Sequence, residues 1–544
     1  MAPGESYDVL VIGGGVNGTG TARDCAMRGL ATALVEKRDV ASGASGANSG
    51  MIHGGIRYLP ADPRVTRLSC IDSGYIQKIA PHLLFRIPFI FPMRRKGPRP
   101  SLVEKAYLYG AEVVFSMYDD YQPFKRGKPS SRLSAEETRA LEPGIRPDIV
   151  GAVTTDEWGI DPQRLCVANA LSAREHGADV FLHARVVGFV RASDGRVLGA
   201  EVEQDGRRFV IRARVVLNAS GPWSPRVAAL AGVTVKLRPG KGVHLTLDRR
   251  ISNYGVICTA VDGRQIFVYP HEQSSIIGTT DDDYYGDPDH IPITRDEVEY
   301  LFQGIESIFP SIRRARVVRA WAGVRPTLWK YGRTEDALSR EHALVDHADH
   351  GAPGLYSLVG GKLASYRVMA EETTDVLSRA LHRFARCRTH EEPLPGGEGV
   401  PDVADLAAEH RLPEWTVSRC VYRHGKLADR ILAAAHDEPW LRSMLCPCEQ
   451  VTYAEAVWCL REELVRTLSD LRRRCRLGMG PCQGADCAGA AAQLLARERR
   501  LSPGETEREL RVFLAERWSG QRPVLAGESM GQQEITRALY RETP

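Results

Sequence analysis

The feature that most constrains this chain is a short apolar strand that runs directly into glycines. Tyr7–Ile12 reads Tyr-Asp-Val-Leu-Val-Ile, and Gly13-Gly-Gly15-Val-Asn-Gly18 follows at once. Thr19–Arg28 has a helix pattern closed by Gly29, and Thr32–Val35 is a second short strand that leads into Glu36. A strand, a G-x-G-x-x-G turn and a helix make a βαβ unit, which requires a parallel sheet with helices on its faces. Gly13 permits the tight turn. Gly15 lets the backbone approach a pyrophosphate at the helix N-terminus, and Gly18 allows close helix–strand packing. Glu36 stands 18 residues beyond Gly18, where a carboxylate accepts hydrogen bonds from a ribose diol. The unit predicts a dinucleotide site.

At 544 residues the chain is too long for one ordinary domain, and two to four are expected. A net charge of +4 is small for this length and argues against a nucleic-acid protein held by bulk charge. The basic run Arg472, Arg473, Arg474 and Arg476 reads as a solvated helix face, or more sharply as a docking surface. Met1–Ser6 is short and polar, so no signal peptide is expected. No apolar run reaches the ~18 residues that a membrane span needs. Eight of the 12 cysteines are scattered singly, which fits reducing, cytoplasmic conditions better than a disulfide framework.

Four cysteines are not scattered. Cys446-Pro-Cys448 and Cys482-Gln-Gly-Ala-Asp-Cys487 form a C-x-C and a C-x4-C pair across a 33-residue gap. Four such thiolates suit one soft metal centre, and an iron–sulfur cluster is the leading reading. Zinc is the rival, although its structural sites usually show C-x2-4-C knuckles. Cys459 reads as a small buried hydrophobe, and Cys475 as a spare thiol.

Elsewhere, Pro162–Gly177 reads as a helix. Val186–Arg191, Leu198–Gln204, Phe209–Arg212 and Val215–Leu217 read as strands, the last ending in Asn218-Ala-Ser-Gly221. Several short strands between Lys236 and Trp329 suggest a largely antiparallel sheet. Glu391–Val400, rich in Pro, Gly and Glu, is the clearest linker, and Ala404–Leu441 looks helical. The segment Ser42–Gly55, full of Gly, Ser and Ala, offers small side chains and many backbone donors. It suits a chain lying against a flat isoalloxazine ring, which favours FAD over NAD.

Five motifs extend this reading: Val11-Ile-Gly-Gly-Gly-Val-Asn-Gly-Thr-Gly20, Met51-Ile-His-Gly-Gly-Ile-Arg-Tyr-Leu59, Ile277-Gly-Thr-Thr-Asp281, Ala322-Gly-Val-Arg-Pro326 and Gly360-Gly-Lys-Leu363. Together they resemble the FAD-dependent glycerol-3-phosphate dehydrogenases, within the wider D-amino-acid-oxidase-like flavoproteins. Arg476-Leu-Gly-Met-Gly-Pro-Cys-Gln-Gly484 resembles a bacterioferritin-associated-ferredoxin-like [2Fe-2S] domain. That pairing, with the tail Arg517-Trp-Ser-Gly-Gln-Arg-Pro-Val-Leu525, is similar to the catalytic subunits of the anaerobic members.

The resemblance implies an α/β and α+β architecture. A Rossmann-like FAD-binding domain (about 1–80, 160–235 and 340–390) interleaves with an antiparallel-sheet substrate domain (about 81–159 and 236–339). A linker (391–402), a helical segment (403–441), a [2Fe-2S] module (442–500) and a tail (501–544) follow. It implies oxidation of sn-glycerol 3-phosphate to dihydroxyacetone phosphate, with hydride passed to flavin N5 and electrons leaving through the cluster. The implied partners are two further subunits. One is flavoprotein-like, and the other is a membrane iron–sulfur protein that reduces quinone. The chain itself would be peripheral to the inner face of the cell membrane.

The implied FAD contacts are Gly13, Gly15, Gly18, Glu36, Ser42, Ser45, Asn48, Ser49, Gly50, Gly221, Gly360, Gly361, Lys362 and Leu363. Cys446, Cys448, Cys482 and Cys487 are the cluster ligands. A phosphate dianion calls for directional cationic donors, for which Arg57, Arg325 and Arg340 stand in the right motifs, with Tyr58 as a hydroxyl donor. Alcohol oxidation also needs a base. His53 is the first choice, ahead of His244, which also counts as a substrate contact. Lys362 is better suited to stabilising negative charge near flavin N1. Two alternatives stay open: an FAD amine or amino-acid dehydrogenase with the same cluster module, and a non-catalytic iron–sulfur sensor on a flavin scaffold.

Overall fold

The computed structural model describes residues 6–56, 59, 63–122, 124, 126–330, 332 and 341–542. Arg57, Tyr58 and Arg340 lie outside the described residues.

The first sheet grows from the glycine-fingerprint unit. Tyr7–Ile12 pairs in parallel with Thr32–Val35 on one side and with Arg207–Asn218 on the other. Asp179–Phe181 and Leu355–Gly360 extend the parallel set, and His342–Asp346 closes one edge antiparallel. Both faces are covered, which is why Val9, Leu10 and Val11 are all fully buried rather than alternating. The helix that follows the turn, Val16–Met27, packs against Pro162–Glu175 and Tyr366–Ala380. Residues 207–218 are one continuous strand, not the two short ones expected. Its first half pairs antiparallel with Val197–Gln204, and its second half enters the parallel sheet. One strand thus serves two neighbourhoods, a tertiary demand that local pattern does not display.

The second sheet holds Leu84–Arg94, Arg132–Ser134, Ile149–Ile160, Leu237–Leu247, Gly255–Thr259, Gln265–His271, Ser274–Gly278, Asp282–Asp283 and Val317–Leu328. It is mostly antiparallel, with one departure: Gly255–Thr259 runs parallel to Leu84–Arg94. These two strands come from chain segments on either side of the first sheet's insertions, so no hairpin fixes their relative direction. Ile90, Val243, Leu245, Val256, Val268 and Ile277 centre its core.

The Pro- and Gly-rich stretch near residue 394 is clamped, not loose. Leu394 is fully buried and its N–H donates to Ile79 O at 2.8 Å. The buried Arg23 side chain donates to Thr389 O at 3.2 Å and Glu392 O at 2.6 Å. Beyond it come the helices Val403–His410, Glu414–His424 and Leu427–Asp437. A small hairpin and the helices Tyr453–Glu462, Leu468–Cys475, Ala488–Arg499, Pro503–Gln521 and Glu528–Glu542 complete the chain.

Buried charge ties this C-terminal part to the segments around the first sheet: Arg164 meets Glu463 (Nη2 to Oε1, 3.2 Å) and Arg474 meets Asp39 (2.9 Å). Within the C-terminal part Arg423 meets Glu455 (2.7 Å). Removing one partner of such a pair costs about 3–5 kcal/mol, because the other charge is left buried alone. The basic run is therefore neither a solvated face nor a docking surface: Arg472, Arg473 and Arg474 are all buried. Cys459 and Cys475 are fully buried as well.

Candidate active site and thiol centre

A cavity of about 430 Å³ opens where the two sheets meet. The first-sheet side supplies Gly13, Gly15, Glu36, Gly221, Gly360, Gly361, Lys362 and Leu363. The second-sheet side supplies Phe89, Thr155, Glu157, Phe267, Thr279 and Arg325. The glycine-rich segment adds Ser42, Ser45, Asn48, Ser49 and His53.

The fingerprint glycines behave as the turn demands. Gly13 sits at φ +115°, and a Cβ there would meet Ala219 O at 2.6 Å. Gly18 does not line the cavity; a Cβ on it would lie 1.9 Å from Gly13 O, so its role is close approach of helix and strand. Ser45 Oγ accepts the Val16 N–H at 2.9 Å, at the first turn of the helix. Glu36 accepts backbone N–H groups of Gly14 (2.7 Å) and Arg38 (2.9 Å), one on each oxygen. Each oxygen keeps a second lone pair for a ribose hydroxyl. Burial pushes the Glu36 carboxyl up while those two amides pull it back. This cradle fits a dinucleotide.

Asn48 shapes the loop from within. Its amide nitrogen donates to Ala44 O and Ser45 O at 3.0 and 2.7 Å, and its oxygen accepts Gly50 N–H at 2.7 Å. Gly50 itself faces a second cavity. Lys362 Nζ reaches Gly54 O at 3.3 Å, just after Gly360 and Gly361, both in the left-handed region. Arg325 is aimed by Asp281 (2.8 Å) and Thr279 Oγ1 (3.2 Å). It lies over Gly242, where a Cβ would meet its Nη2 at 2.4 Å.

His244 is elsewhere. It is buried within strand Leu237–Leu247, does not line the first cavity, stacks on Trp321 and contacts Ser49 Oγ at 2.9 Å. Burial, then the nearby Arg325 charge, lowers it to about 3, so it is a neutral sheet histidine. Sequence reasoning missed Glu157 and the Lys37–Arg38 pair. Glu157 accepts the buried Tyr118 hydroxyl at 2.6 Å and faces the cavity from the middle of a long strand. Its signal, a carboxylate at an inward strand position, needs the strand's register to be recognised. Lys37 and Arg38 follow Glu36 directly and share Asp289.

The four clustered cysteines converge. Cys448 Sγ and Cys482 Sγ are 3.8 Å apart, and Cys446 and Cys487 share a hydrogen bond. Backbone amides of Gly478, Gly484 and Asp486 point at their sulfurs. Gly480 leaves room for Cys448, whose Cβ would stand 2.3 Å from a Cβ at that position. The donor set is all sulfur, with the Asp486 carboxylate nearby.

A family model described as FAD dependent oxidoreductase matches residues 8–367, and one described as the C-terminal domain of alpha-glycerophosphate oxidase matches residues 387–506. An anaerobic glycerol-3-phosphate dehydrogenase subunit of Haemophilus influenzae is 36% identical over 544 residues, covering 98% of this chain and 92% of the relative. The chain belongs to the FAD-dependent glycerol-3-phosphate dehydrogenase family. The Escherichia coli K12 counterpart is 35% identical over 545 residues, covering 98% of this chain and 96% of its own. Among solved structures, a glycerol-3-phosphate dehydrogenase from Bacillus halodurans complexed with FAD superposes with a TM-score of 0.74 at 24% identity, covering 96% of this chain and 97% of its own. The L-alpha-glycerophosphate oxidase of Mycoplasma pneumoniae reaches 0.54 at 21% identity, covering 69% and 95%. Both likenesses are of fold. This enzyme is an FAD-dependent oxidoreductase.

Proposed function

We propose that the enzyme oxidises sn-glycerol 3-phosphate at C2 to dihydroxyacetone phosphate and passes the electrons through a [2Fe-2S] cluster toward partner subunits and quinone. The observation that carries the first part is Arg325, an oriented guanidinium on the wall of the cavity that also contains the dinucleotide cradle. When bound, FAD supplies the two-electron acceptor for the C2 hydride.

The chain's own residues do the rest. Arg325, with Arg57, Tyr58 and Arg340 as further candidates, would hold the phosphate. His53 or Glu157 would take the hydroxyl proton, since both line the cavity. Lys362 would place positive charge where the reduced ring gains negative charge. The thiolates of Cys446, Cys448, Cys482 and Cys487 would hold the cluster, which supplies one-electron transfer. The amides aimed at those sulfurs would stabilise thiolates, and the C-x-C spacing of Cys446 and Cys448, unlike a usual zinc knuckle, supports a cluster.

Anaerobic mixing with sn-glycerol 3-phosphate is expected to bleach the flavin and then raise a rhombic S = 1/2 signal in electron paramagnetic resonance. Arg325→Met is expected to lower kcat/KM about 10²- to 10³-fold, the usual effect of truncating a desolvated charge pair. Unbleached flavin would reject the substrate.

No helix among the described residues is long and apolar enough to cross a membrane. Surface association is supported by helix Leu102–Asp120, which exposes Leu102, Val103, Tyr107 and Met117. Arg94, Lys96 and Arg99 are exposed in the segment before it. An apolar face with a basic border suits an anionic bilayer. The holoenzyme is expected to sediment with phosphatidylglycerol-containing vesicles at low salt. Recovery in the supernatant would remove this part of the reading.

A further inference from the structure

A second cavity, of about 310 Å³, lies behind the glycine-rich loop. Ser42, Asn48 and Ser49 line both cavities, and Cys448 and Gly480 also line the second. It therefore touches both the dinucleotide loop and the thiol centre.

Part of its wall is cationic. Arg319, Arg472 and Arg473 line it, and the last two are only 4% and 9% exposed. The fully buried Arg517 adjoins them. Nη1 of Arg319, Arg472 and Arg517 all contact one atom, Met479 Sδ, at 3.4, 3.5 and 3.1 Å. A thioether is a weak and neutral acceptor. Glu516 Oε1 serves both Arg472 (3.0 Å) and Arg517 (3.3 Å), while Arg319 forms no ion pair among the described residues. Arg473 reaches Asp39 at 3.3 Å, a carboxylate that Arg474 also holds, and through the same Nη1 it meets Ser469 O at 3.1 Å and Asp470 at 3.6 Å. The Nε atoms of Arg319, Arg472 and Arg473 have no hydrogen-bond acceptor among the described residues. Elsewhere on the wall the balance reverses: Arg419 and Arg476 face Asp161, Glu272 and Glu449, and Asp248 lines the cavity as well.

Arg319, Arg472 and Arg517 thus share one sulfur, and Glu516 is the carboxylate that pairs with two of them. Buried cations in excess of their partners are costly, and an anion that supplied several acceptors at once would relieve that cost. Guanidinium forks match the oxygens of a tetrahedral oxyanion. We propose that the second cavity is a binding site for a phosphate-class oxyanion, held by Arg319, Arg472 and Arg473 between the dinucleotide loop and the thiol centre. It is separate from the substrate cavity that contains Arg325.

Equilibrium dialysis of the FAD-loaded full chain with labelled inorganic phosphate tests this. The wild type is expected to bind one phosphate per chain more than Arg319→Gln or Arg472→Gln. Arg325→Met is expected to retain that phosphate, which separates this site from the substrate reading. In the Arg325→Met background, displacement by glycerol 3-phosphate would identify a phosphate monoester as the occupant. Resistance to displacement would identify free phosphate. Equal phosphate content in the wild type and both glutamine variants would overturn the proposal, leaving the arginines as partners of Met479, Glu516 and Asp39 alone. If the variants lose their flavin, wild-type crystals grown with tungstate give the same answer: anomalous density beside Arg319 and Arg472 supports the site, and its absence there ends it.

Discussion

Cys482→Ser and Cys448→Ser are each expected to yield a protein that is still bleached by sn-glycerol 3-phosphate but carries no iron. With the proposed [2Fe-2S] cluster, iron should fall from about two atoms per chain to about zero, because serine is a hard ligand put in place of one of the four thiolates that would hold it. The two sulfurs lie 3.8 Å apart across a site that Cys446 and Cys487 complete. Losing one leaves three thiolates and a gap that Gly480 cannot fill. The flavin cavity has none of these cysteines on its wall, so the rate of flavin bleaching should stay within about threefold of wild type, less than 1 kcal/mol. Turnover with an acceptor that draws electrons from the cluster should vanish in the same proteins. Iron analysis, stopped-flow absorbance and steady-state turnover on one preparation separate the two functions. Wild-type protein with stoichiometric zinc and no iron would sink the relay, while leaving the dehydrogenase standing.

The elements that build the dinucleotide cradle were the most legible in the sequence. The glycines between Ile12 and Val16 and the run from Ser42 to Gly55 are read locally, since turn geometry and small side chains are properties of adjacent residues. Gly360 and Gly361 are legible for the same reason: both stand in the left-handed region, which glycine enters without cost. Charge was the misleading signal. Arg472, Arg473 and Arg474 look solvated in a linear reading, yet their partners are Glu516 and Asp39, the latter more than 430 residues away. No local pattern announces a buried ion pair of that separation. His244 shows the converse: a histidine in a suggestive glycine motif turns inward because Gly278, opposite it in the sheet, leaves space for its ring. Glu157 was hidden because its neighbours Thr155 and Asp156 are polar too, so the alternation that marks an inward strand position is blurred.

Gly18→Ala is expected to abolish FAD retention while leaving a folded chain, because one methyl group acts where helix and strand nearly touch. The added Cβ would lie 1.9 Å from Gly13 O and 3.0 Å from Gly13 C, both backbone atoms that no rotamer change can move. The helix must shift, carrying its N-terminus away from the position where its amides face a pyrophosphate. Overpacking of this kind costs about 1–3 kcal/mol in stability. Binding should suffer more, about 10²-fold or beyond, since several amide contacts are lost together. Two companion variants locate the cause. At Gly15 the added Cβ would meet only Ser45, its Oγ at 3.1 Å, so Gly15→Ala should fold normally and weaken FAD by crowding the cofactor alone. At Gly29, with φ +77° and nothing within 4 Å, alanine should cost about 1 kcal/mol of stability through backbone strain and leave FAD in place. Flavin absorbance per chain after gel filtration, read beside a thermal melt, distinguishes the three. A Gly18→Ala protein that keeps one FAD per chain would mean that the helix N-terminus is not what holds the cofactor.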